Sequence, residues 1–300
     1  MRKDNNILVG YAAVLVYSCL SGVSFVWTKR LLEHGFPVFT IVLIRLIIGA
    51  IFLLLTLRLF NKLEPLKRKD IKDFILLAIG EPFIYFIGED FGLKYVDASF
   101  ASVIIAMIPV LIAFVIPKIY GGKVKRSLVI GACISFIGII AMSFNKSGLM
   151  FDVRGLLFLL LALASAIWYN VFLKKLLQSY GAFTITAYMN VIGALIYLPL
   201  FFISDFPIID TLNFNLQNIS DLLCLGVLCS AGSYGLYSFS ASKLGVEKVS
   251  VFNNASPIVT IFASILLGME PLTARKLLGV LIVVLGVIVS QGNLFKNKNA

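Results

Sequence analysis

Apolar positions in this chain fall in long unbroken runs, not in the alternation of a half-buried strand or the one-sided stripe of a soluble surface helix. Read between clusters of charge and turn residues, the runs predict ten helices near 7–28, 38–58, 73–93, 98–117, 127–145, 155–173, 182–203, 219–242, 247–267 and 274–292. Each approaches the roughly 20 residues a helix needs to cross about 30 Å of hydrocarbon. Continuous runs also exclude the alternating pattern of a membrane β-barrel. The expected fold class is therefore an all-α polytopic membrane protein. The longest connection, about 204–219, has no room for a soluble domain, so function is expected inside the helix bundle. Arg2 and Lys3 before an apolar stretch have the outline of a signal peptide, but the run continues to Trp27-Thr28-Lys29-Arg30 without a small-residue cleavage site. A retained helix is expected.

Composition agrees: 60% of residues are hydrophobic and 14% charged, against about 25% charged in ordinary globular chains. The net charge of +11 would suit nucleic acid if it were clustered on one surface. Instead, with the N-terminus placed inside, the tails and even-numbered loops hold 18 of the 26 Lys and Arg residues, the odd-numbered loops seven, and the spans Arg45 alone. This positive-inside bias predicts a multi-pass protein of the cytoplasmic (inner) membrane with both termini cytoplasmic, and no nucleic-acid partner. Cys19, Cys133, Cys224 and Cys229 all fall in predicted spans without metal or redox spacing.

A repeat underlies the pattern. At an offset of 148 residues, Ser102, Val103, Pro109, Phe114, Gly131, Ile134 and Gly138 recur as Ser250, Val251, Pro257, Phe262, Gly279, Ile282 and Gly286. At an offset of 144, Phe39-Thr40-Ile41 and Ile48-Gly49-Ala50 recur as Phe183-Thr184-Ile185 and Ile192-Gly193-Ala194. Two five-helix repeats are predicted, over 7–145 and 155–292. Five is odd, so the second repeat enters the membrane from the opposite side and a pseudo-two-fold axis lies in the membrane plane. Inverted repeats of this kind characterise secondary transporters, whose midplane site opens to each side in turn.

Ser24-Phe25-Val26-Trp27-Thr28-Lys29, the Pro37 to Arg45 segment, Tyr95-Val96-Asp97-Ala98-Ser99 leading to Pro109, and Gly245-Val246-Glu247-Lys248-Val249-Ser250 leading to Pro257 resemble the paired EamA domains of the drug/metabolite transporter superfamily. The resemblance covers about residues 8–291. The Gly-Glu that usually follows the helix after the proline reads here as Gly121-Gly122-Lys123 and Gly268-Met269-Glu270. The resemblance implies a secondary, non-ATP transporter, expected to export a small metabolite, amino acid or drug-like molecule by alternating access. The alternative is a passive channel or a non-transporting membrane scaffold, which lacks the counterflow of a carrier.

Candidate site residues follow from polar stripes. Tyr17, Ser21, Ser24 and Thr28 share a face of the first helix, and Ser230, Ser233, Tyr234 and Tyr237 share one of the eighth. Such stripes must face protein or water. The third helix carries Glu81, Glu89 and Asp90, which are costly in a bilayer and so expected to face a cavity or a partner. Glu81, Tyr85, Gly88 and Gly92 share one face, Glu89 borders it, and Asp90 points away. Arg45 is within conceivable reach of Glu81 or Glu89, as a structural ion pair or as part of a site in which Glu81 carries a proton or binds a substrate ammonium. Asn253 and Asn254 add amides before Pro257, and Trp168, Tyr169 and Asn170 are candidate cavity walls. Pro82, Pro109 and Pro257 are expected helix breaks. The cavity is expected between helices 1, 3, 6, 8 and 9. The expected partners are a small-molecule substrate, the lipid bilayer and a proton as candidate coupling ion. No enzyme signature is present: the chain has a single histidine, His34, and no HExxH, GxSxG or Walker A motif. No cofactor or metal is expected.

Overall fold

The computed structural model describes residues 2–120, 126–145, 148–149, 152–271 and 273–291. They are almost wholly helical: α1 (Arg2–Glu33), α2 (Val38–Leu59), α3 (Ile71–Ala78), α4 (Tyr85–Tyr95), α5 (Ala98–Ile105), α6 (Ile108–Tyr120), α7 (Arg126–Ser143), α8 (Val153–Leu176), α9 (Ala182–Leu200), α10 (Leu216–Cys224), α11 (Tyr234–Leu244), α12 (Val246–Val249), α13 (Ser256–Leu266) and α14 (Ala274–Gln291). Two short strands, β1 (Phe144–Asn145) and β2 (Gly148–Leu149), pair antiparallel between α7 and α8.

Among the described residues, five helical stretches are long and apolar enough to cross a membrane: Ile7–Glu33, Val38–Leu59, Val153–Leu176, Ala182–Thr211 and Leu216–Leu244. Shorter apolar helices include Ala98–Ile112 and Phe252–Leu266. Several predicted spans are short because their helices are broken, and the breaks have readable causes. At Ile79–Ile84 the helix opens into a wide turn in which Glu81 leaves helical geometry (φ −141°, ψ 122°). Proline disfavours the helical region for the residue before it and offers no N–H, so Pro82 accounts for the break. Leu225–Ser233 forms a second wide turn between α10 and α11 without a proline. The predicted span 98–117 is α5 and α6, divided by a turn at Ala106–Met107 before Pro109, and the predicted span 247–267 tightens over Ser250–Ala255 before Pro257 opens α13.

The surface is apolar, unlike that of a soluble protein, and the interior combines a hydrophobic core with buried polar groups. Leu8, Leu15, Ile51, Leu55, Leu160, Leu195, Phe262 and Leu285 are exposed, whereas Arg45, Glu81, Glu89, Asp90, Asn170, Asn190 and many serines and threonines are buried. Lipid gives no hydrophobic drive to bring helices together, so close packing at small residues carries the association. Along α7 and α14, a methyl group added at Gly286 would lie 2.4 Å from the Ser135 amide nitrogen, and one at Gly138 would lie 2.8 Å from the Gly279 carbonyl. α2 packs on α9, α1 on α11 and α13, and α4 on α8.

Polar contacts tie each end of the bundle. At one end Arg30 forks onto Asp221, the His34 ring lies 2.6 Å from Asn218, and Asp205 accepts from the Thr40 amide and hydroxyl at 2.8 and 3.0 Å, capping the start of α2. At the other end Glu64 accepts from the Gly181 amide at 2.6 Å, capping α9, while Lys175 pairs with Asp73 at 2.8 Å.

Candidate functional site

The two wide turns and the helices beside them enclose a polar cavity. It is lined from α1 by Tyr17, Ser21 and Ser24, from α2 by Arg45, and from the first turn and α4 by Glu81, Tyr85, Phe86 and Glu89. Tyr169 and Asn170 of α8, Ser233, Tyr234 and Tyr237 around the second turn, and Asn253 and Ser256 complete most of the polar wall. The cavity gives water centres about 50 Å³, well below the roughly 300–1,000 Å³ of pockets that enclose drug-sized ligands. In this conformation the site is closed to anything but a very small molecule.

Hydrogen bonds across the cavity join the halves of the chain. Tyr234 Oη donates to Glu81 Oε1 at 2.6 Å, and Tyr17 Oη donates to Asn253 Oδ1 at 2.5 Å. Tyr237 Oη donates to Asn170 Oδ1 at 2.7 Å, fixing one amide of the wall. Five tyrosines surround a carboxylate only 6% exposed. The rings are mutually oriented: Tyr17 lies 4.9 Å from Tyr237, and Tyr169 stands edge-on to Tyr234 at 6.5 Å. Carboxylate acceptors beside electron-rich ring faces form a surroundings suited to a cation.

Arg45, 1% exposed, is the one cation among the cavity-lining residues. It donates from Nε to Ser230 Oγ at 3.0 Å and lies 4.3 Å from the Phe86 ring centre. Its Nη1 has no hydrogen-bond partner. No ion pair within 4 Å joins Arg45 to Glu81, Glu89 or Asp90; a hydroxyl and an aromatic face hold it instead.

The break that positions Glu81 is braced from outside. Tyr197 Oη donates to the Phe83 carbonyl at 2.8 Å, and Trp168 Nε1 donates to the Leu76 carbonyl at 2.7 Å, supplying donors where the ladder is disrupted. The Pro82 ring fills the notch left by Gly193, where an added methyl would lie 2.3 Å from Pro82 Cγ.

The structure brings Tyr17, Ser21, Ser24, Arg45, Glu81, Tyr85, Glu89, Tyr169, Tyr234, Tyr237 and Asn253 together at the cavity. Two expected wall residues lie elsewhere. Trp168 is 45% exposed and braces the outside of the break, because the neighbouring Tyr169 takes the inward face of α8. Asn254 is buried without a hydrogen-bond partner and does not line the cavity; the tight turn at Ser250–Ala255 aims Asn253 there instead. Helices 2 and 4 of the predicted ten also contribute, through Arg45 and through Ser102, Ile105 and Ile108. Asn170 lines the cavity beside Tyr169. Asp90, expected to point away from the face of Glu81, is fully buried outside the cavity lining.

The EamA-like transporter family matches twice, over residues 8–144 and 153–291, and the chain belongs to that family. It is thus a membrane transporter by descent. An uncharacterized transporter of Bacillus subtilis, YcxC, is 28% identical over 95% of this chain and 94% of its own. An uncharacterized transporter of Clostridium kluyveri is 27% identical over 97% and 94%, and one of Archaeoglobus fulgidus is 27% identical over 75% and 79%. A solved crystal structure, 16% identical, superposes with a TM-score of 0.69 over 99% of both chains, a likeness of fold.

Proposed function

We propose that the protein is a secondary transporter of small organic solutes, working by alternating access between two five-helix repeats, with Glu81 as its coupling or cation-binding carboxylate. The observation that carries this reading is the cavity itself: a buried carboxylate ringed by tyrosines, with its hydrogen bond supplied by the opposite half of the chain.

Inversion of the repeats is supported by contacts that recur with partners exchanged. Gly10 faces Lys243 and Leu244, and Gly155 faces Tyr95 and Val96, which precede Lys243 and Leu244 by 148 residues. Gly138 backs onto the Gly279 carbonyl and Gly286 onto the Gly131 carbonyl. Asp205 caps α2 and Glu64 caps α9. A two-fold axis that inverts one repeat onto the other gives each pair. The end contacts also group the loops as ten spans require, with loops 1–2 and 7–8 meeting at one end and loops 2–3 and 6–7 at the other. The distribution of basic residues supports a cytoplasmic place, at the inner membrane, for the second end and the termini.

An aromatic-walled carboxylate suits solutes bearing an ammonium group or a proton exchanged for one. Export is the proposed direction. Purified protein in liposomes, screened for counterflow with panels of amino acids and aromatic amines, tests the reading. Trans-stimulated uptake of one class is the expected result; flux without trans-stimulation would make the protein a pore, and no flux a scaffold.

A further inference from the structure

Glu81 accounts for the cavity, but it leaves a second buried carboxylate unused. Asp90 is fully buried on α4, outside the cavity lining, and neither of its oxygens has a hydrogen-bond partner. The other charged side chain with an unpartnered buried atom among the described residues is Arg45, at Nη1. Each is what the other lacks, a fork of donors and a pair of acceptors. The remaining charged or titratable groups around Asp90 are Glu89 beside it in sequence, Glu81 at the helix break, Tyr197 of α9, and Lys29 of α1, whose Nζ is engaged by the Leu93 and Val96 carbonyls and lies 3.9 Å from Glu33.

We propose that Asp90 is a proton-exchange site whose charge state follows the position of Arg45. Building on the transporter reading, it adds a second site that Glu81 does not supply. In the closed conformation Arg45 rests on Ser230 and Phe86, and Asp90 carries a proton, because an ionised carboxylate with neither oxygen bonded has nothing to replace its lost hydration. Ser230 belongs to the second half of the chain, whereas Arg45 and Asp90 belong to the first. Separation of the halves withdraws Ser230 and frees Arg45 to turn toward Asp90. The Asp90 O–H bond then breaks, the resulting carboxylate pairs with the guanidinium, and the proton leaves by way of Glu89 at the cavity wall to water, which accepts it. The reverse motion reloads Asp90.

Infrared difference spectroscopy on the full-length protein in lipid, at neutral pH and without substrate, tests this. The wild type is expected to show the C=O band of a carboxylic acid free of hydrogen bonds, absent from Asp90→Asn and retained in Glu81→Gln. Asp90→Glu, which keeps the acid, should retain a band at a displaced frequency and serves if the asparagine variant fails to fold. Ser230→Ala removes the resting place of Arg45 and should shift the ratio of protonated to ionised Asp90 by about fivefold, the worth of one hydrogen bond. A wild type without the band, a band unmoved by either Asp90 substitution, or one indifferent to Ser230→Ala would overturn the proposal. A loss of transport confined to Glu81→Gln bears on the transporter reading alone.

Discussion

The two wide turns that flank the cavity occupy matching places in the repeats and are built from different chemistry. At the 148-residue offset Glu81 corresponds to Cys229, Pro82 to Ser230, Phe86 to Tyr234, Glu89 to Tyr237 and Asp90 to Ser238. Both segments open into wide turns. The first does so around a proline and brings three carboxylates with it. The second does so around glycines and presents hydroxyl groups, with Gly226 meeting Ile48 of α2 at close range. Backbone shape is shared, while side-chain chemistry has diverged into a charged half and a hydrogen-bonding half. Each needs the other: Ser230 holds Arg45, Tyr234 holds Glu81, and Asn253 receives Tyr17. The contacts that must part if the halves rock against each other are the contacts that satisfy the buried charges, so opening the cavity and changing its electrostatics are one event.

The comparison is most easily broken through the charged half. Arg45→Met removes the single cation among the cavity-lining residues together with its bond to Ser230 and its place on the Phe86 ring, which should lower stability by about 1.5–3 kcal/mol. Thermal and denaturant unfolding of purified protein measure it, and a wild-type melting curve would mean that the Arg45–Ser230 contact does not hold the two halves together. The next effect contrasts the two wide turns through their facing glycines. Gly193→Ala meets the rigid Pro82 ring at 2.3 Å and should cost about 1–3 kcal/mol. At the equivalent Gly49 the nearest atom is the movable amide of Asn190, at 2.8 Å, so Gly49→Ala should cost less. Equal losses would erase the difference drawn between a proline-built and a glycine-built turn. The smallest effect tests what the halves share. Asp205→Asn and Glu64→Gln weaken the two related caps and should each cost about 1 kcal/mol, as cap losses do. Markedly unequal costs would argue that the ends of the bundle are not related by the axis.

Much of this arrangement is legible in the sequence because lipid makes polarity informative. A tyrosine or carboxylate in an apolar helix has few places to go, which is why the stripes of the first, third and eighth helices converge on the cavity. What is not legible depends on backbone departures from ideal helix. The wide turn at Leu225–Ser233 has no proline to announce it; Gly226 and Gly232 are the signals available. Asp90 points away from Glu81 on an ideal helix, but the break at Glu81 ends that register, so its place relative to Arg45 follows from the fold. The choice of Tyr169 over Trp168, and of Asn253 over Asn254, was likewise made by one-residue differences in helix rotation that periodicity does not resolve.

The central claim is that Glu81 serves the cavity's function and not merely its packing. Transport and thermal stability measured on the same preparation of Glu81→Gln test it most directly, with the substrate found by counterflow. Glutamine keeps the size of the side chain and an acceptor for Tyr234 while removing the charge and the proton. The expected result is a protein that inserts and melts near the wild type but no longer carries out proton-dependent transport or binding of a cationic substrate. Transport at wild-type rate and pH dependence would contradict it, and a large fall in melting temperature would assign Glu81 to structure.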